Sequence, residues 1–161
     1  MVIVVMGVSG SGKTTVGSQL ARQLGWEFAD GDDYHPAANV EKMRNGVPLT
    51  DADRAPWIEK LRTLIAGWIG SGTNGVLACS ALKRAYREKL LIDEQVRVVY
   101  LKADRDLLSQ RLLQRRSHYM KEQMLASQLA TLEEPEGAVV VNASETPERT
   151  VGEIRRRLGL V

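Results

Sequence analysis

Short apolar runs recur along the chain at residues 2–6, 26–29, 76–79, 96–101 and 139–141, and the segments between them carry helical periodicity. Behind the first run, Val16, Leu20 and Leu24 recur every four residues. His35-Pro36 opens a short helix to about Arg44, which Asn45-Gly46 stops. Thr50-Asp51-Ala52-Asp53 resembles a capping box ahead of a longer helix with Ile58, Leu61, Ile65 and Trp68 on one stripe. Trp57 and Trp68 then read as packing residues. A helix from Asp104 carries Leu107, Leu108 and Leu112 on one side, and Thr146-Pro147 caps a last one bearing Val151, Ile154 and Leu158. Runs alternating with helices predict an α/β fold: a parallel sheet of five strands with helices on both faces. Ligands of such sheets gather at the carboxyl ends of the strands. Polar clusters follow the first three runs at that end.

The 161 residues predict one domain, 1–161, of ordinary globular composition, 43% apolar and 26% charged. A net charge of +2 is too small to argue for nucleic acid or a membrane surface as partner, and neither is expected. Arg155-Arg156-Arg157 reads as the solvated side of the last helix. The single cysteine, Cys79, excludes an internal disulfide, suits a reducing cytoplasm, and reads as a buried thiol. No run reaches membrane-spanning length, and the apolar start lacks the basic leader of a signal peptide.

The chemistry begins at Gly7-Val8-Ser9-Gly10-Ser11-Gly12-Lys13-Thr14, a Gly-x-x-x-x-Gly-Lys-Thr loop between a predicted strand and a predicted helix. Its glycines let main-chain N–H groups curl around phosphates, and the helix start adds favourable charge. Lys13 reaches the outer phosphates and the Thr14 hydroxyl ligates Mg²⁺, so the loop through Thr15 predicts a nucleoside triphosphate site. Asp30, Asp32 and Asp33 follow the second run and supply candidates for a metal-side carboxylate and for the base that accepts a hydroxyl proton. On extended backbone Asp30 and Asp32 share one side. No aspartate ends the third run, so Asp30 is the candidate to replace it at the metal, through water. His35 is a candidate for a hydroxyl-rich substrate. Lys83 and Arg87, predicted on one helix face, and Arg54 are the candidate readers of an anionic substrate, with the arginines favoured for a carboxylate. Arg111 and Arg115, also i, i+4, stand at the root of a segment, about 115–135, that suits a lid closing on ATP. The chain is too short for a RecA-like or AAA-type motor with its sensor elements, and lacks the Asp-x-x-Gly and Asn-Lys-x-Asp signatures of a small GTPase. A small-metabolite kinase remains, against a nucleotide-gated binding module that would have no use for carboxylates facing the loop.

Longer blocks sharpen this. The phosphate loop, Asp30-Gly-Asp-Asp-Tyr-His35-Pro36, Asn39-Val-Glu-Lys42-Met43, Gly46-Val-Pro48-Leu, Asp51-Ala-Asp53-Arg54-Ala-Pro56-Trp57, Cys79-Ser-Ala-Leu-Lys83-Arg-Ala-Tyr86-Arg87 and the lid from His118-Tyr-Met120 to Ser127-Gln128 resemble the small phosphate-loop gluconokinases over nearly the whole chain. Tyr119 stands where Phe is common and Thr14 where Ser also occurs. The resemblance implies a three-layer, nucleoside-monophosphate-kinase-like fold related to shikimate kinase, and ATP-dependent phosphorylation of D-gluconate to 6-phospho-D-gluconate. It also implies Mg²⁺, a cytoplasmic place in carbohydrate metabolism and a homodimer. By similarity to the Asp-x-Asp pair of shikimate kinase, Asp30 falls on the metal side and Asp32 at the substrate hydroxyl.

Overall fold

The protein is described by a computed structural model covering residues 1–114 and 118–160. Five parallel strands, β1 (Val2–Met6), β2 (Glu27–Asp30), β3 (Gly75–Ala78), β4 (Val96–Lys102) and β5 (Val139–Asn142), lie in the order β2-β3-β1-β4-β5. Helices α1 (Lys13–Leu24), α2 (Ala37–Arg44), α3 (Asp51–Gly70), α4 (Arg84–Leu90), α5 (Arg105–Leu113), α6 (His118–Thr131) and α7 (Pro147–Leu158) connect them.

The central strand explains the unbroken apolar run at the start of the chain. All of β1 is buried, and its alternate side chains feed opposite faces. Val2, Val4 and Met6 pack with Trp57, Ile58, Leu61 and Ile65 of α3 and with Tyr86 and Leu90 of α4. Ile3 and Val5 pack with Val16 and Leu20 of α1 and with Val151 and Ile154 of α7. These two layers of helix on one sheet are the predicted three-layer architecture. A third cluster, Val8, Leu82, Leu108, Leu112 and Leu125, seats α6 on α5 beside the phosphate loop.

Local signals carry through. Thr50 and Asp53 form a reciprocal capping box at α3, Asp104 caps α5 and Thr146 caps α7. The second strand runs one residue later than expected, to Asp30, because a 3₁₀ turn at Gly31–Tyr34 closes directly on its end. The Asp32 amide donates to Asp30 Oδ1 at 3.0 Å to start that turn. The backbone is therefore not extended through Asp32, and a tight turn replaces the expected alternation of the two carboxylates.

Candidate active site

The loop after β1 is built around its main chain. Gly10 and Gly12 have φ of 88° and 96°, the left-handed region that a side chain disfavours. A Cβ on Gly7 would lie 2.6 Å from Ser11 Oγ and 3.1 Å from the Leu101 carbonyl. The Ser11 amide donates to Val8 O at 3.1 Å, and Lys13 Nζ to the same carbonyl at 3.2 Å. Arg111 braces the loop from behind: its Nη1 donates to the Gly10 and Ser11 carbonyls at 2.9 and 3.2 Å, and its Nη2 to Ala143 beyond β5. It thus stands beside the phosphate loop, with much of its guanidinium directed at protein carbonyls. Arg115 lies outside the described residues. A cleft of about 430 Å³ opens on this flank, lined by Gly10, Gly12, Thr15, Arg111, Gln114, Ala143 and Pro147. The residues after β5 were not singled out from sequence. They carry no signature, and only the strand order brings them beside the loop.

Thr14 Oγ1 donates to Asp30 Oδ2 at 2.8 Å, tying the first turn of α1 to the end of β2. A hydroxyl beside a carboxylate is an oxygen set that suits a hard cation such as Mg²⁺. Among the described residues no group of three His, Cys, Asp or Glu gathers to cage a metal.

On the other side of Lys13 is a second cavity, of about 220 Å³. Ser9, Lys13, Asp32, His35, Arg54 and Trp57 line it, with Ser127 and Gln128 of α6 and an apolar wall that includes Leu49 and Met124. Burial pushes the Asp32 carboxyl upward and the Lys13 ammonium draws it back, although the residue keeps an exposed face. His35 is stacked on Trp57 with ring centres 4.2 Å apart and planes 14° from parallel. Trp57 Nε1 donates to the Gly31 carbonyl at 2.7 Å, so one indole supports both the histidine and the turn bearing Asp32. Gly31 fits there because a Cβ would stand 2.9 Å from the Ala78 carbonyl. Trp57 is a packing residue as expected, and also part of the cavity wall. Asp33 is exposed and outside the lining.

Of the three predicted readers of an anion, only Arg54 lines this cavity. Its Nη1 donates to Tyr86 OH at 3.1 Å, and Tyr86 in turn donates to Asp51. Lys83 caps α4 and pairs with Asp51 at 2.8 Å, away from the cavity. Arg87 is the clear correction. It points inward and is buried, donating to the Ala81, Leu82 and Glu133 carbonyls at 2.7, 3.0 and 2.7 Å. The expectation that Lys83 and Arg87 share a face fails because Lys83 precedes the first helical turn. Arg87 knits the loop after β3, where Ala81 has φ 45°, to the segment after α6. Cys79 is buried with its thiol pushed up to about 12, which keeps it protonated and structural.

Gln128 ends the block that resembles the family's lid, but its role was not read from sequence. Its Oε1 accepts from the Ser9 amide at 2.7 Å and its Nε2 donates to Ser9 Oγ at 3.0 Å, so α6 rests directly on the phosphate loop. A lone glutamine in an amphipathic stretch gives no sign of this.

Known proteins resemble this chain along most of its length. A family model described as an AAA domain matches residues 2–135, from β1 to the segment before β5. That match covers most of the chain, whose length had argued against an AAA-type motor domain. The probable gluconokinase of Xenopus tropicalis is 48% identical, over 84% of this chain and 80% of its own. The gluconokinase of Gluconobacter oxydans is 47% identical, over 96% of this chain and 89% of its own. The crystal structure of a gluconokinase from Sinorhizobium meliloti superposes with a TM-score of 0.87 at 40% identity, covering 98% of this chain and 90% of that one. With its phosphate loop, its paired carboxylates and relatives this similar along most of its length, the chain belongs to the gluconokinase family.

Proposed function

We infer that the chain transfers the γ-phosphoryl group of ATP to the 6-hydroxyl of D-gluconate, giving 6-phospho-D-gluconate and ADP. One observation carries this reading: a carboxylate, a guanidinium and the loop lysine line a single cavity, as Asp32, Arg54 and Lys13. Phosphoryl transfer asks for positioning and charge neutralisation rather than covalent chemistry. The loop amides and Lys13 hold the phosphates, with the adenosine side in the cleft beside Thr15 and Arg111. Asp32 takes the proton of the attacking hydroxyl as the new O–P bond forms and the bond to the ADP oxygen breaks. Burial raises its proton affinity, which suits a group that takes up a proton. Arg54 meets the carboxylate of gluconate, and His35 a hydroxyl between. Gluconate-dependent ADP release in a coupled assay, weaker or absent with shikimate and neutral sugars, tests this. ADP release that no sugar acid stimulates would sink it.

Thr14 and Asp30 are the residues that would hold Mg²⁺, which when bound neutralises charge on the transferred phosphates. Asp30→Asn should raise the Mg²⁺ concentration needed for half-maximal rate. The segment 115–135 is read as a lid, on the support of α6 lying against both cavity and loop. A homodimer in the cytoplasm completes the reading. Both come from the family resemblance; no helix among the described residues is long and apolar enough to cross a membrane. Light scattering at working concentration decides the dimer.

A further inference from the structure

The hydrogen bonds around His35 leave its ring one arrangement. Asn39 is buried, with its side-chain Nδ2 2.8 Å from the Asp53 carbonyl and 3.2 Å from His35 Nδ1. A main-chain carbonyl only accepts, so Nδ2 is the amide NH₂, and its second hydrogen is left for Nδ1. Nδ1 is then the acceptor, and the proton of the neutral ring sits on Nε2. Stacking on Trp57 fixes the plane of the ring. Burial first, and the Arg54 guanidinium second, hold its protonation down to about 4, so it is neutral at physiological pH.

We propose that Asn39 is a positioning residue that fixes His35 as the Nε2–H tautomer, so that the imidazole gives the cavity a neutral donor and binds a hydroxyl oxygen of the acceptor substrate. This deepens the reading of the cavity as the acceptor site and rests on it. A neutral ring does not compete with Arg54 for a carboxylate. Recognition of anion and of hydroxyl is thereby divided between two neighbouring side chains. The other bond from the Asn39 side-chain amide reaches the Asp53 carbonyl, at the start of the helix that carries Arg54, so one buried amide relates both recognition groups.

Long-range ¹⁵N–¹H spectra of the labelled full chain test the tautomer without any substrate. The chain has two histidines, and His35→Gln assigns the His35 signals by their loss. The expected pattern is a protonated Nε2 and an unprotonated Nδ1, shifting toward a mixture in Asn39→Ala. In kinetics, His35→Leu should raise KM for gluconate about 2–10-fold, the worth of one neutral hydrogen bond, with little change in kcat. His35→Gln, which returns an N–H at a similar reach, should recover part of that loss. Asn39→Ala should raise KM by a smaller factor in the His35→Leu background than in the unmodified chain. A proton on Nδ1 in the unmodified chain overturns the proposal, even if Asn39→Ala does not fold. So does an unchanged KM in His35→Leu. If the unmodified chain phosphorylates no sugar acid, the acceptor assignment has failed, while the spectra still decide what Asn39 does to the ring.

Discussion

The two halves of the cleft are made of different material. The nucleotide half is main chain: left-handed glycines, amides at the start of α1, and carbonyls braced by Arg111. The acceptor half is side chain, with Asp32 from the 3₁₀ turn, His35 ahead of α2, Arg54 from α3 and Gln128 from α6. Main-chain sites tolerate change in most side chains but not in backbone shape. Side-chain sites stand or fall on single substitutions, and their cost shows in one kinetic constant at a time.

The largest effect should come from Asp32→Asn, which keeps the shape and removes the base. A kcat loss of about 10²–10⁴-fold is expected, with ATP binding little changed. Burial raises the Asp32 carboxyl, so the folded state penalises its ionised form at neutral pH. The Asn variant should therefore melt no lower than the unmodified chain at pH 7. Normal turnover in Asp32→Asn with a loss in Asp33→Asn would move the base to the neighbouring carboxylate.

Lys13→Ala breaks the other half at the lysine of its loop. Turnover should fall about 10²–10³-fold while the melting temperature holds, as for removal of a transition-state charge clamp. Near-normal kcat at saturating ATP and Mg²⁺ would withdraw that role.

Arg54 and Arg87 give the sharpest contrast. Arg54→Ala should cost about 2–5 kcal/mol, seen in KM for gluconate, because it leaves a carboxylate without its partner. Arg87→Ala should leave KM alone and lower the urea midpoint, since each buried carbonyl left unpaired costs about 1–3 kcal/mol. The opposite pattern would return Arg87 to the substrate.

The smallest effect is in pH. His35 has its proton affinity lowered from 6.5 to about 4 in the fold, so the unfolded chain binds that proton first. Stability should be full above pH 6.5 and decline as pH falls toward 4. Melting curves of His35→Gln should show a shallower decline over that window, and identical slopes would remove His35 as its source.

The same difference in material decides what could be read from the sequence. The phosphate loop is contiguous, and its glycines are dictated by local geometry, so it was legible residue by residue. Strands and caps were legible for the same reason, as with Thr50 and Asp53. Lys83 and Arg87 were not, since an i, i+4 spacing says which residues share a face only after the first turn of the helix is known. Inward and outward arginines also look alike in sequence: Arg87 is 6% exposed, held by three carbonyls that belong to two distant segments. Gln128 and Asn39 were hidden more deeply, because their partners lie at positions 9 and 53.

Trp57 has an optical consequence. Indole emission responds to the polarity and stacking of its surroundings, and this indole lies in the acceptor cavity against His35. The other two tryptophans, Trp26 and Trp68, sit in the packing on opposite faces of the sheet and do not line it. Filling the cavity thus perturbs one fluorophore of three, and the protein reports occupancy of its acceptor site without a label.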